Sequence, residues 1–294
     1  MLPHRFQLHR SATLGAALEL RARYGDDAAY YAGGTELLLA MKARVLRYDH
    51  LIDLKNITSL RGVQLESEEI VIGALTTHLD LARDALVHRL IPAYAALSNN
   101  IANIRVRVAG TIGGNLCFGE PHADPPALLA ALDARVELQG PEGIRSVAVA
   151  DFIEDEFTTQ RRDDEIMIAV RIPVPRPAHN FTYLKFGHLE RPAVGIAAGC
   201  CADAGATSYR IWAGSIGSRP IRIEKLEAAL KGIPPNSVGD VLKINAVAAA
   251  ADLPARDDLH GSADYKLHLA SVLMQRAVLQ VAGQSPDGGK DDGI

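Results

Sequence analysis

Three cysteines, at positions 117, 200 and 201, are all the thiol chemistry this 294-residue chain possesses. An iron–sulfur cluster takes four thiolates, so the chain holds none on its own cysteines. No Cys-x-x-Cys pair and no disulfide ladder can be drawn, and a reduced, cytoplasmic setting is expected. Basic runs are absent and the formal net charge is −4, which removes the electrostatic footprint of a nucleic-acid binder. No apolar run approaches the ~20 residues of a membrane span, and MLPHRFQLHRSATLG lacks the apolar centre of a signal peptide. The ten histidines show no H-E-x-x-H spacing, so no metal site is expected. Neither G-x-G-x-x-G nor G-x-x-x-x-G-K-[ST] occurs. A nucleotide, if bound, is held by something other than a Rossmann or P-loop unit. No Ser-His-Asp arrangement can be argued from spacing, and no residue is singled out as catalytic.

What is present is an ordinary globular composition, 48% hydrophobic and 22% charged, with length for one large domain or two modest ones. Ser11 caps a helical pattern that stops at Gly25. AAYYA is a strand candidate, a helix is expected from about Thr35 to Arg44, and HLIDLKNI reads as a buried strand. RGVQLESEEIVIGAL reads as a hairpin across residues 61–75. Helical patterns follow at 76–86 and 92–101, and VAGTIGGNLCFGEPHADPP is too rich in Gly, Pro and Asp to be regular. ALLAALDA is helical and RVELQG a strand. EIMIAVRIPVP and NFTYLKFG are strands separated by prolines at 173–177, the best candidate domain boundary. AVGIAAGCCADA and SYRIWAGSI suggest an antiparallel pair, followed by three helices, the last from about Ala263 to Val281. Strands and helices mix without a regular βαβ rhythm, which indicates an α+β fold in two parts.

One recurrence stands out. AGGTEL at 32–37 is echoed by GTIGGNL at 110–116, eighty positions on from Gly33 to Gly113. Glycine weakens a regular element by roughly 0.5–1 kcal/mol relative to alanine, so each pair needs a reason. A tight turn is one. A backbone approached closely by an anionic group is the other, since successive N–H groups without side chains form a concavity for oxygens. If Thr35 begins a helix, its free N–H groups add to that site.

AGGTEL, then TIGGN, then Asp124 nine residues beyond Asn115, together resemble the FAD-binding medium subunits of the molybdenum hydroxylases. These include the flavin subunits of carbon monoxide dehydrogenase and the flavin domain of xanthine dehydrogenase. The likeness covers almost the whole chain. RSATLGAALELRARYGDDAAYYAGGTELLLAMKARVLRYDHLIDLKNI has that family's opening order. EIMIAVRIP and FTYLKF follow at the expected distance, then GSRPIRIEKLEAALKG and DLHGSADYKLHLASVLMQRAV.

The resemblance implies a two-part FAD-binding domain of the vanillyl-alcohol oxidase / p-cresol methylhydroxylase type over 1–175, with subdomains of about 1–57 and 58–175. A smaller α+β C-terminal domain, of the carbon monoxide dehydrogenase flavoprotein type, would occupy 176–283, and 284–294 would be a disordered tail. By the same likeness, Ala32, Gly33, Gly34, Thr35 and Glu36 would wrap the FAD pyrophosphate. Thr111, Gly113, Gly114 and Asn115 would form a second loop beside the ribityl–pyrophosphate stretch. Asp124 would accept from cofactor hydroxyls. Ile101 matches an apolar position packing on the cofactor, Met167 one on a neighbouring strand, and Lys185 a lysine near the isoalloxazine ring. Two departures from the family pattern are Glu36, longer than its usual counterpart, and Ala109, where many relatives carry arginine. No four-cysteine insertion is present, so this chain is expected to carry flavin only.

The implied partners are a large subunit with a molybdenum–pterin cofactor and a small subunit with two [2Fe–2S] clusters, assembled as a dimer of heterotrimers. Electrons would pass from the clusters to FAD and on to an external acceptor. Two other readings stand beside this one: a self-sufficient flavoenzyme on the same fold, and a non-catalytic binding or assembly protein whose glycine pairs are only turns. Cys117 reads as a small packed hydrophobe, Cys200 and Cys201 as opposite faces of one strand, and Glu154-Asp155-Glu156 as a solvated run. His122 reads either as a contact to flavin or partner or as a plain loop histidine.

Overall fold

The computed structural model describes residues 4–187, 191–203 and 206–284. Residues 285–294, where most of the expected disordered tail falls, lie outside the described residues. The chain forms two compact units. The first runs to Glu120 and resumes over Asp133–Val174; the second comprises Pro121–Leu132 and the chain from Pro175.

The first unit begins with β1 (Gln7–Arg10), α1 (Leu14–Tyr24), β2 (Ala28–Tyr31), α2 (Leu37–Lys42) and β3 (His50–Asp53). The strands make a parallel sheet in the order β1-β3-β2. Ala17, Ala28 and Ile52 pack with Leu54, Ile57 and Leu60 into one core. Thr13, not Ser11, caps α1: its hydroxyl accepts from the Ala16 N–H at 3.2 Å, whereas the Ser11 side chain is buried without a partner. Gly25 ends this helix at φ +51°, as the sequence indicated.

Next come β4 (Val63–Glu66) and β5 (Glu69–Gly73), the expected hairpin, then α3 (His78–Arg83), α4 (Ala85–Leu90), α5 (Pro92–Asn99), α6 (Ile104–Arg107) and α7 (Ile112–Phe118). Here the structure departs from the sequence reading, because GTIGGN is not irregular. Thr111 caps α7 by accepting from the Gly114 N–H at 3.1 Å, and a capped turn outweighs the poor helix propensity of two glycines. After α8 (Pro125–Ala131), which belongs to the second unit, come β6 (Arg135–Gly140), β7 (Gly143–Ala148), α9 (Val149–Phe152), β8 (Ile153–Asp155), β9 (Thr158–Thr159) and β10 (Ile166–Pro173). The larger sheet of the unit is antiparallel, ordered β4-β5-β10-β6-β7, and α7 packs on β10.

The second unit is built on β11 (His179–Phe186), β12 (Val194–Asp203), β13 (Ala206–Gly214) and β14 (Ile221–Arg222), antiparallel in that order. Helices α10 (Glu224–Leu230), α11 (Val238–Ala251) and α12 (Ala263–Val281) follow. Val194, Ile196, Ala198 and Ile211 form a core with Leu226, Met274 and Val278. All seven residues of α8 are buried, and this helix packs on β12 and β13. Among the described residues no helix is long and apolar enough to cross a membrane.

Candidate cofactor-binding site

In the first unit the two glycine elements meet. A Cβ on Gly33 would lie 2.0 Å from the Ala109 carbonyl oxygen, so only glycine lets Ala32–Thr35 approach the turn at Ala109–Gly110. Gly110 is closely packed as well: a Cβ there would stand 3.0 Å from the Val106 carbonyl oxygen, 3.3 Å from His78 Cδ2 and 3.4 Å from Thr35 Oγ1. Gly34 takes φ +73°, with the Tyr31 ring where its side chain would go. The Leu54 N–H donates to the Tyr31 carbonyl at 3.0 Å, and Lys55 Nζ stands 3.7 Å over the Tyr31 ring. The first turn is therefore fixed from beneath by the end of β3.

The two turns differ in what their backbones offer. No acceptor among the described residues takes the N–H groups of Gly33, Gly34 or Thr35. Three successive unpaired donors around a positive-φ glycine form an anion-binding concavity. The expected helix from Thr35 does not contribute, because α2 starts at Leu37 and is only six residues long.

At the second turn the donors are used internally. Ile112 donates to the Thr76 carbonyl at 3.1 Å, Gly113 to Ala74 at 2.9 Å, and Asn115 to Thr111 at 2.9 Å. Gly113 is glycine because a Cβ would fall 2.7 Å from the Ala74 carbonyl oxygen. Gly114 is exposed, and Asn115 carries a buried Oδ1 without a hydrogen-bond partner. This turn presents a bare Cα and a polar side chain.

Of the other candidates in this unit, Ile101 is buried after α5, its carbonyl held by Arg107 Nη1 at 2.9 Å. Met167 is buried on β10 opposite Leu138. Glu36 directly precedes α2. His78 was not anticipated from sequence. It is 2% exposed, its backbone N–H holds the Gly110 carbonyl at 3.0 Å, and burial lowers its pKa to about 4, so the ring is neutral. Burial pushes the Cys117 thiol up to about 11, against a weaker opposing pull from Arg161, which makes it a poor nucleophile or redox centre.

In the second unit Asp124 and Lys185 come together. Lys185 Nζ donates to Asp124 Oδ2 at 2.9 Å, and the Tyr183 hydroxyl donates to Oδ1 at 2.9 Å. The two charged side chains are only 3% and 6% exposed, and Lys185 is the charged group that offsets the burial of the Asp124 carboxylate. Burial raises the Asp124 carboxyl while Lys185 and Tyr183 draw it back; burial and Asp124 push Tyr183 well above its ordinary value. Tyr183 is a second residue the sequence reading missed, and nothing in the sequence singles it out: the room for its hydroxyl comes from Gly195 on the paired strand, where a Cβ would sit 2.1 Å from that hydroxyl. His122 does not point out as a free loop histidine: Nδ1 donates to the Pro192 carbonyl at 2.9 Å.

Glycines with no room for a Cβ and three N–H groups without an acceptor among the described residues fit a phosphate, and the Asn115 oxygen left without a partner fits a hydroxyl donor on the same cofactor. Comparison with known proteins agrees. Residues 4–175 match the family model described as the FAD binding domain in molybdopterin dehydrogenase. Residues 181–281 match the CO dehydrogenase flavoprotein C-terminal domain. The chain is 35% identical to the carbon monoxide dehydrogenase medium chain of Afipia carboxidovorans over 95% of its own length and 97% of that protein. It is 30% identical to the xanthine dehydrogenase FAD-binding subunit of Escherichia coli O157:H7, covering 96% and 97%. A crystal structure of the Cu,Mo-CO dehydrogenase, in its cyanide-inactivated form, contains a chain that superposes with a TM-score of 0.90 at 33% identity, covering 96% and 99%.

Proposed function

This chain belongs to the FAD-binding medium subunits of the carbon monoxide dehydrogenase and xanthine dehydrogenase family of molybdenum hydroxylases, and on that footing we propose that it is an electron-transfer subunit. It would accept electrons from [2Fe–2S] clusters of a small partner subunit and deliver them to an external acceptor. A large partner subunit with a molybdenum–pterin cofactor would oxidise the organic substrate, within a dimer of heterotrimers in the cytoplasm. The observation that carries the reading is the run of unpaired N–H groups at Gly33, Gly34 and Thr35, on a turn that glycine alone permits. Bound FAD supplies the ability to take electrons singly and to give them up in pairs.

The chain's own residues bind and tune. Gly33, Gly34 and Thr35 donate to the pyrophosphate, with Ala32 and Glu36 flanking. Thr111, Gly113, Gly114 and Asn115 shape the second turn, and Asn115 offers a polar side chain. Ile101 and Met167 supply apolar surface. Lys185, held by Asp124, would supply positive charge to the flavin ring and so favour negative charge on it. The domain division is proposed as 1–175 for FAD binding and 176–283 for the C-terminal domain.

The test is anaerobic and uses the isolated, FAD-loaded chain. Reduced [2Fe–2S] partner should bleach its flavin absorption within the turnover time of the complex, while the organic substrate alone should not. Reduction by substrate or NADPH without any partner would favour a self-sufficient flavoenzyme. Lys185→Met should lower the flavin midpoint potential by tens of millivolts, read by dye-coupled titration.

A further inference from the structure

His122 has an oxygen opposite each ring nitrogen. Nδ1 is 2.9 Å from the Pro192 carbonyl, and Nε2 is 3.4 Å from Asp258 Oδ2. Its ring packs on His260 with centroids 4.3 Å apart. Asp258 is the centre of the loop before α12: Oδ1 accepts from the His260 N–H at 2.7 Å, and Oδ2 takes Lys266 Nζ at 2.5 Å. Lys266, on α12, is only 1% exposed and also donates to the Arg256 carbonyl at 3.0 Å. One polar node thus ties together three pieces of the second unit that have no ladder hydrogen bonds in common: the segment entering α8, the connection at Pro192, and the loop 256–262.

Two residues beyond His122 lies Asp124, whose carboxylate orients Lys185 and Tyr183. The stretch Pro121–Ala123 belongs to no helix or strand, so its placement depends on such side-chain contacts. A buried charge pair is favourable only while its geometry is held, and a slack 121–124 segment would let the carboxylate drift from the ammonium. We infer that His122, anchored by Asp258 and Lys266, is a positioning residue that fixes Asp124 and through it sets the orientation of Lys185. The inference rests on the proposed reading that Lys185 faces the flavin.

The test is a double-mutant cycle on the FAD-loaded full chain, read as flavin midpoint potential and visible circular dichroism. His122→Phe keeps a ring to pack on His260 but removes the contacts to the Pro192 carbonyl and Asp258. It should shift the potential in the same direction as Lys185→Met, and add no further shift in the Lys185→Met background. His122→Asn, which can still donate to the Pro192 carbonyl, should stay closer to wild type. The double variant Asp258→Asn/Lys266→Met, which leaves neither charge uncompensated, should reproduce the His122→Phe shift. If Lys185→Met shifts the flavin but His122→Phe does not, or adds its own full shift in the Lys185→Met background, the positioning role falls and the flavin assignment stands. If Lys185→Met leaves the flavin unchanged, both fall together.

Discussion

Gly33 is the most constrained residue of the candidate site, and its constraint differs from that of Gly114. A side chain at Gly33 collides with the Ala109 carbonyl in the protein itself. Gly33→Ala should therefore weaken FAD binding more than tenfold and also lower thermal stability. A side chain at exposed Gly114 would meet chiefly the Thr111 hydroxyl at 2.9 Å. Gly114→Ala should weaken FAD binding, measured by flavin fluorescence, with a smaller change in melting temperature. Equal effects of the two variants on both readouts would contradict this distinction. Both glycine pairs were legible in the sequence because few other residues turn so tightly, but the reason for Gly33 was visible only once Ala109 was placed beside it. His78 and Tyr183 were not legible, since their roles depend on neighbours far away in sequence. His78 also carries a pH signature. Its folded pKa of about 4 lies below the ordinary 6.5, so its contribution is fully present above pH 6.5 and is lost as pH falls toward 4. The full span corresponds to about 3 kcal/mol. Denaturation at pH 7 and pH 5 should show the wild type losing stability that His78→Leu does not lose.

Among the elements, α7 shows why composition misled. Two adjacent glycines in TIGGN argue against a helix, yet Thr111 caps it, and Ala74 and Thr76 accept two of its first N–H groups. Tertiary partners outweighed propensity. Thr111→Ala removes that cap and should cost about 1 kcal/mol, read by denaturant unfolding; no change would place the cap's role elsewhere. The hairpin at 63–73, the β12–β13 pair and the long α12 were legible because apolar alternation and helical periodicity are strong there. Strand β7, GIRSVA, was not anticipated. It is mostly exposed and shows no apolar alternation, and it owes its form to pairing with β6. Helix α2 came out shorter than its ELLLAMKA pattern suggested, since Glu36 caps nothing and Val45 already folds back on Ala40.

For the whole chain, the order of segments was more informative than any one of them. AGGTEL, TIGGN, YLKF and the closing helix are individually weak signals. In sequence along one chain they indicated the same family that the full-length likeness now establishes. The assignment of Pro121–Leu132 to the second unit was not legible, because a helix of small apolar residues states that it is buried but not against what. The central claim is that this chain carries FAD on its glycine turns. The most direct measurement is to purify the full chain, reconstitute it with FAD, and quantify and identify the released chromophore alongside Gly33→Ala. The account predicts about one FAD per wild-type chain, with flavin absorption bands, and an emptied variant. A folded wild-type chain that takes up no flavin, or a Gly33→Ala variant that retains it fully, would contradict it.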